Sequence, residues 1–88
     1  MTADLSEMSI TARTPAVRLR PGKSCYIDVL FQRMDPCRLV YELTESGSGQ
    51  LTQEGIYTAP AACGLYEIHV YCADFPRVDT YVYAIVER

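Results

Sequence analysis

Apolar and polar side chains alternate with a period of two along most of the chain. Between residues 24 and 33, the apolar side chains Cys25, Ile27, Val29 and Phe31 are two positions apart. Successive side chains of a β-strand point to opposite faces, so this spacing predicts one long strand with a buried face. No segment shows the 3.6-residue period of a helix. The same alternation predicts strands at 16–20, 38–44, 64–73 and 78–87.

Proline and glycine divide the alternating segments into short strands. Pro15 splits the first strand in two, because proline cannot donate a hydrogen bond to a strand ladder. Gly55 makes a tight turn between two brief strands at 50–52 and 56–59, and Pro60 ends the second of them. About seven strands with turn residues every 8 to 12 positions are typical of a sandwich. The sequence therefore predicts an all-β fold, a two-sheet antiparallel β-sandwich.

The length and net charge of the chain limit the number of domains and the class of partner. The chain has 88 residues, which is short of the roughly 100 to 200 typical of one domain. We therefore expect a flexible N-terminal segment at 1–8 and a single sandwich domain at 9–88. The formal net charge of −3 argues against nucleic acid as a partner, because binding to phosphates needs clustered Lys and Arg.

No targeting or membrane segment is evident. The first ten residues include Asp4 and Glu7 and lack both a basic region and an apolar run, so they do not form a signal peptide. The apolar stretches are interrupted by Glu67, His69 and Asp79 and are far shorter than the roughly 20 residues that cross a bilayer. We expect no membrane insertion.

The four cysteines, Cys25, Cys37, Cys63 and Cys72, do not suggest a metal site. They contain no CxxC pair, and the chain has one histidine, so the spacing differs from that of zinc sites. We expect no metal and no cofactor. Free buried thiols are the favoured state, and disulfides in an oxidising compartment are the alternative.

A longer motif resembles a known family. The string Gly55-Ile56-Tyr57-Thr58-Ala59-Pro60, with Gly47 to Thr52 before it and Gly64 to Ile68 after it, resembles bacterial immunoglobulin-like (Ig-like) domains. The resemblance runs from about Val17 to Val86 and includes the opening Pro21-Gly22-Lys23-Ser24. It implies an Ig-like sandwich in which structural roles fall to Gly55, Tyr57, Pro60, Gly64 and Tyr66.

The resemblance also implies roles for Tyr66 and for the cysteines. Tyr66 matches the tyrosine corner, whose hydroxyl bonds a nearby backbone group, and Tyr66→Phe is then expected to leave a buried partner unsatisfied. The central disulfide of antibody domains is absent, since Ile27 or Val29 and Ile68 occupy the corresponding positions. Such a sandwich brings Cys25 near Cys63, or Cys37 near Cys72.

Catalysis is not expected. His69 is the only histidine, so acid–base chemistry near neutrality would have to use it. Its nearest thiol, Cys72, is three residues away and points to the opposite strand face, so the two cannot form a nucleophile pair. The acidic residues are dispersed and lack the spacing of a calcium loop. We therefore predict that the chain is not an enzyme.

One sheet face stands out as a candidate binding surface. Tyrosine is favoured at contact surfaces, and a strand apolar on both faces packs against something or meets a partner. Ordinary cross-strand pairing on a solvated sheet is the alternative. The residues predicted to gather on this face are Val40, His69, Tyr71, Tyr81 and Tyr83, with Ile85 beside them.

These expectations combine into one functional hypothesis. We predict a non-enzymatic Ig-like binding or structural module of a bacterial surface protein or phage particle, acting through protein–protein contacts or self-association. The resemblance favours a cell-surface location, within a longer exported protein, or a virion over the cytoplasm. The alternative is a carbohydrate-binding module that uses the sheet-face tyrosines, and a coplanar spacing of Tyr71, Tyr81 and Tyr83 would favour it.

Overall fold

The computed structural model describes residues 7–88, and residues 1–6, most of the N-terminal segment expected to be flexible, lie outside the described part. No α-helix occurs between residues 7 and 88. None of these residues, accordingly, belongs to a helix long and apolar enough to cross a membrane. The strands are β1 (Ser9–Ala12), β2 (Ala16–Leu19), β3 (Ser24–Tyr26), β4 (Val29–Gln32), β5 (Leu39–Leu43), β6 (Gln50–Leu51), β7 (Ile56–Thr58), β8 (Gly64–Cys72) and β9 (Asp79–Val86).

The strands form two layers. One layer is a four-stranded sheet in the order β2-β9-β8-β5. The other consists of the three-stranded group β3-β7-β6 and the pair β1-β4, which are continuous along the chain because only Ile27 and Asp28 separate β3 from β4. Taking β1 with β2 and β3 with β4 as halves of one strand leaves seven strands in the order of an Ig-like sandwich. The predicted fold class, an all-β sandwich of two sheets, is confirmed.

The first strand is divided between the two layers. β1 runs antiparallel to β4, with Ser9 opposite Gln32, whereas β2 runs parallel to β9, with Ala16 opposite Tyr83. Pro15 lies between the halves, as the sequence predicts. The parallel pairing of β2 is a local exception to the predicted antiparallel arrangement, and it arises because the chain keeps its direction while it changes layers.

The prediction of one continuous strand at 24–33 is wrong in one respect. The structure divides this segment into β3 and β4. β3 pairs with β7 and β4 pairs with β1. At the break, the Ile27 amide donates to the Gly55 carbonyl at 2.7 Å, and the Asp28 carbonyl accepts from the Arg13 amide at 2.9 Å. Ile27 and Val29 are both buried, so the side-chain alternation continues across the break and conceals it in the sequence.

The core lies between the two layers. Both β8 and β9 contribute alternate side chains to it, and the intervening residues of these strands face outward. This alternation is what places the polar and aromatic residues of β8 and β9 on the opposite side of the sheet. The buried apolar residues are Ile10, Ala12, Ile27, Val29, Tyr41, Tyr57, Ala59, Ile68, Val70, Cys72, Val78, Val82, Ala84 and Val86.

Candidate interaction face on the four-stranded sheet

The register of β5, β8 and β9 arranges the outward-pointing side chains in rows. Because the three strands are neighbours, side chains opposite one another in the ladders are close enough to contact each other. The rows are Val40–Tyr71–Asp79, Glu42–His69–Tyr81 and Glu67–Tyr83. We call these eight residues the outer face.

The structure brings all five predicted binding residues together. Val40, His69 and Tyr71 are half-buried. Tyr81 and Tyr83 remain 41% and 38% exposed. Neither tyrosine of β9 is therefore part of the core, and the outer face presents aromatic rings to solvent.

The outer face also carries three carboxylates, which were not among the predicted binding residues. Glu42, Glu67 and Asp79 each occupy an outward position in the rows. The alternation alone indicates that Glu67 and Asp79 point away from the core. The pairing of β5 with β8 was needed to place Glu42 beside His69, since nothing local in the sequence links two residues so far apart.

Two of the carboxylates accept hydrogen bonds from aromatic neighbours. The Tyr71 hydroxyl donates to Glu42 Oε1 at 2.9 Å, which links β8 to β5. The His69 ring donates from Nε2 to Asp79 Oδ2 at 2.8 Å, which links β8 to β9. The positions of Glu42 and Asp79 are thus set by cross-strand contacts.

The aromatic rings pack on one another at the centre of the outer face. The His69 ring stacks on Tyr81, with centroids 4.6 Å apart and planes inclined by 16°. The centroid of the Tyr71 ring lies 5.2 Å from that of His69, and the two planes are inclined by 37°. His69 therefore packs against two tyrosines and lies in the middle row of the outer face.

Two tyrosines of the outer face, Tyr71 and Tyr83, have raised pKa values. The pKa of Tyr71 is raised by its hydrogen bond to Glu42 and by burial. Burial, and then the Glu67 carboxylate, raise the pKa of Tyr83. Near neutral pH, Tyr71 and Tyr83 accordingly present neutral hydroxyl donors beside the carboxylates of the outer face.

His69 and Cys72 lie on opposite faces of β8, as predicted. Cys72 is fully buried, and its pKa is raised to about 12, first by burial and then by the neighbouring Cys37 thiol. The ladder places Leu39 opposite Cys72, which brings Cys37, two residues earlier, close to Cys72. A thiol with this pKa is a poor nucleophile near neutrality.

The four cysteines are free. Cys25 lies opposite Tyr57 in the ladder, and burial raises the pKa of Cys25. Cys63 is exposed. Among residues 7–88, no group of three or more His, Cys, Asp and Glu side chains is arranged to hold a metal ion.

The residues assigned structural roles lie in or next to β7 and β8. Gly55 has a φ of +91°, a conformation that favours glycine, and Pro60 follows β7. The Tyr66 hydroxyl donates to the Ala62 carbonyl at 2.7 Å, which is the bond that the Ig-like resemblance implies. Tyr66 is half-exposed, so the expectation of a buried partner for it is corrected. The buried bond from a tyrosine hydroxyl to a backbone carbonyl is instead that of Tyr57 to Ser48.

Comparisons with known proteins add no family to this picture. A scan against protein-family models finds no match to the chain, and a search of curated proteins finds none either. The resemblance to bacterial Ig-like domains therefore stays a prediction, whereas the structure shows the two-layer sandwich.

Proposed function

We propose that the chain is a non-enzymatic Ig-like module of a bacterial surface protein or phage particle that binds another protein through the outer face. The observation that carries this proposal is a continuous group of aromatic and acidic side chains across three adjacent strands. In the described part of the chain, β2 lies beside β9 at the edge of the sheet and no strand packs over the outer face.

The composition of the outer face supports a contact surface. Isolated exposed hydrophobic residues are normal on a soluble protein, but contiguous groups mark interaction sites. Tyrosine is enriched in protein interfaces, because its ring buries a large area and its hydroxyl still finds a partner. Tyr71, Tyr81 and Tyr83 provide such groups within neighbouring rows.

The geometry around His69 supports a role without catalysis. One ring nitrogen is bonded to Asp79, and the ring stacks against Tyr81. The buried Cys72 lies on the other side of β8, so its thiol is not beside the imidazole. A shallow depression elsewhere, open to solvent, has no ionisable group among its lining residues Gly47, Gly49, Gln50, Thr58, Ala59 and Pro60.

A carbohydrate-binding role has less support. A sugar ring packs on an aromatic face that is free, and His69 covers one face of Tyr81. The Tyr71 ring is tilted by 37° to His69, so Tyr71 does not extend the stacked pair into one flat platform. The outer face is thus better suited to irregular protein side chains than to a flat sugar.

A selection from a random peptide-display library tests the proposal. The wild-type domain is the target, and the folded double variant Tyr71→Ala/Tyr83→Ala is the counter-target. Truncation of anchor aromatics typically weakens an interface by about 2 kcal/mol each. We expect enriched peptides that bind the wild type and are lost on the double variant.

A matched control separates the outer face from exposed tyrosines in general. Tyr26 is 60% exposed and lies on β3, in the other layer. Tyr26→Ala is expected to leave peptide binding unchanged. Peptides that bind the double variant as well as the wild type would contradict the proposal, and glycan-array binding lost in the double variant would support the carbohydrate alternative instead.

A further inference from the structure

We infer that the partner segment docked on the outer face is cationic and presents Arg or Lys side chains to it. This inference rests on the proposed function, because it specifies the chemistry of the partner for the same surface. It is carried by the juxtaposition of three carboxylates with exposed tyrosine rings on β5, β8 and β9.

The charge on the outer face is of one sign. Glu42, Glu67 and Asp79 occupy its rows, and no Lys or Arg occupies a position in these rows of the described strands. Arg38 lies at the margin, before β5. Arg18 lies one row further along, opposite Ile85, and its guanidinium is 3.3 Å from Glu87. Arg38 is close enough for its charge to act on Tyr71, but neither arginine forms an ion pair with Glu42, Glu67 or Asp79.

Two carboxylates are held in position while they keep acceptor capacity. Each carboxylate has two oxygens and about four lone-pair sites. Glu42 uses Oε1 for Tyr71, and Asp79 uses Oδ2 for His69. Charge-assisted hydrogen bonds are the stronger kind, and groups already ordered lose less entropy on binding. These carboxylates are therefore ready acceptors for ammonium or guanidinium donors.

The exposed tyrosines complement the same chemistry. Glu67 lies directly opposite Tyr83, so a carboxylate and an exposed ring are neighbours. A guanidinium group stacks on an aromatic ring and donates two parallel hydrogen bonds to a carboxylate. The pair Glu67 and Tyr83 offers both partners to one arginine side chain.

The same charges disfavour the other occupants. In a symmetric dimer, each outer face would oppose an identical acidic face, and like charges across an interface are destabilising. An acidic segment meets the same repulsion. A basic segment is the occupant for which both the charge and the aromatic rings are favourable.

Fluorescence anisotropy with two synthetic peptides tests this inference. The probes are fluorescein-labelled octapeptides of alternating Arg and Ser, and of alternating Glu and Ser. We expect the Arg peptide to bind the wild-type domain much more tightly than the Glu peptide does. The affinity of the Arg peptide is expected to fall as the salt concentration is raised.

Neutralising carboxylates distinguishes this site from general attraction to an acidic protein. The double variant Glu42→Gln/Glu67→Gln is expected to bind the Arg peptide with an affinity lower by roughly fivefold or more. The control Glu54→Gln removes an exposed carboxylate from the turn between β6 and β7 and is expected to change affinity by less than about twofold.

The possible failures have different meanings. The inference is overturned if the wild type does not bind the Arg peptide, if both peptides bind equally, or if the two glutamate substitutions act no more strongly than Glu54→Gln. In those cases, library peptides that still require Tyr71 and Tyr83 leave the proposed function standing with a non-cationic partner. Loss of that tyrosine requirement rejects the proposed function itself.

Discussion

Two tyrosine hydroxyls each donate a hydrogen bond to a backbone carbonyl, and solvent reaches only one of these contacts. Tyr57 is 0% exposed, and its hydroxyl donates to the Ser48 carbonyl at 2.6 Å. The Ser48 hydroxyl in turn donates to the Glu45 carbonyl at 2.7 Å. These contacts join β7 to the loop before β6. The corresponding bond of Tyr66 to Ala62 lies at the surface.

Removing each hydroxyl in turn distinguishes how much the two hydrogen bonds contribute to stability. Tyr57→Phe is expected to destabilise the domain by about 1 to 3 kcal/mol, because the buried Ser48 carbonyl loses its partner. Tyr66→Phe is expected to destabilise by about 1 kcal/mol or less, since water can replace the hydroxyl at Ala62. Urea unfolding of both variants measures the difference. A larger effect at Tyr66 than at Tyr57 would show that the surface bond is the more important one.

A second residue-scale prediction concerns Gly49, which combines a positive φ with a close contact. Its φ is +113°, and an added Cβ would overlap the Thr58 carbonyl oxygen and lie 3.1 Å from Pro60 Cδ. Gly47 also has a positive φ, +77°, but a Cβ there meets open space. Gly47→Ala is therefore a control for backbone strain alone.

The alanine variants are expected to differ in stability. Gly47→Ala is expected to destabilise by about 1 to 2 kcal/mol. Gly49→Ala is expected to exceed this by at least about 1 kcal/mol, because the Thr58 backbone must also move. Thermal and urea melts give both values. Equal effects would mean that β7 and the loop adapt to the extra methyl group without strain.

At the scale of elements, β8 and β9 form the centre of the four-stranded sheet. Each pairs on both sides, β8 with β5 and β9, and β9 with β8 and β2. In contrast, β6 contains only Gln50 and Leu51 and pairs only with β7. Strands paired on both sides and backed by core side chains open mainly by global unfolding, whereas short edge strands open locally.

Hydrogen exchange followed by NMR tests this difference. The bonded amides of β8 and β9 are expected to exchange at least about tenfold more slowly than those of β6. Exchange from β8 as fast as from β6 would contradict a sheet centred on these strands. The measurement also reports on the rows of the outer face, since they exist only while β5, β8 and β9 remain paired.

The alternation predicted the elements better than it predicted their connections. The strand predicted at 64–73 is observed as Gly64–Cys72, and that at 78–87 as Asp79–Val86. The alternation does not reveal the break at Ile27 and Asp28, because the break depends on hydrogen bonds to Gly55 and Arg13. Those partners are distant in sequence, and the break leaves the period of the side chains unchanged.

At the scale of the whole molecule, two buried groups oppose ionisation. Burial is the main cause that raises the pKa of Tyr57 from 10.0 to about 12. The pKa of Cys72 is raised from 9.0 to about 12 by burial and by Cys37. Both groups are neutral when protonated, and both ionise more readily in the unfolded chain. Their contribution to stability is complete below pH 9 and is lost as the pH rises toward 12.

The free energy of unfolding is therefore expected to decline above about pH 9, by up to about 1.4 kcal/mol per pH unit for each group. Urea unfolding from pH 7 to pH 11, with the thiols kept reduced, measures this slope. Cys72→Ala removes the contribution of this thiol, and the decline of the variant's stability between pH 9 and 10 is expected to be shallower than that of the wild type. A constant stability up to pH 11 would contradict the assignment of both groups.

The sequence by itself determined the fold class and the direction of most side chains, because a strand alternates its faces through local backbone geometry alone. For that reason, the alternation alone places Val40, His69, Tyr71, Tyr81 and Tyr83 on the outward side of their strands. The tertiary structure decided which of them are neighbours. The alignment of Glu42 with His69 and Tyr81, and the burial of the Tyr57 hydroxyl against Ser48, depend on contacts between residues far apart in the chain, whose register no local pattern specifies.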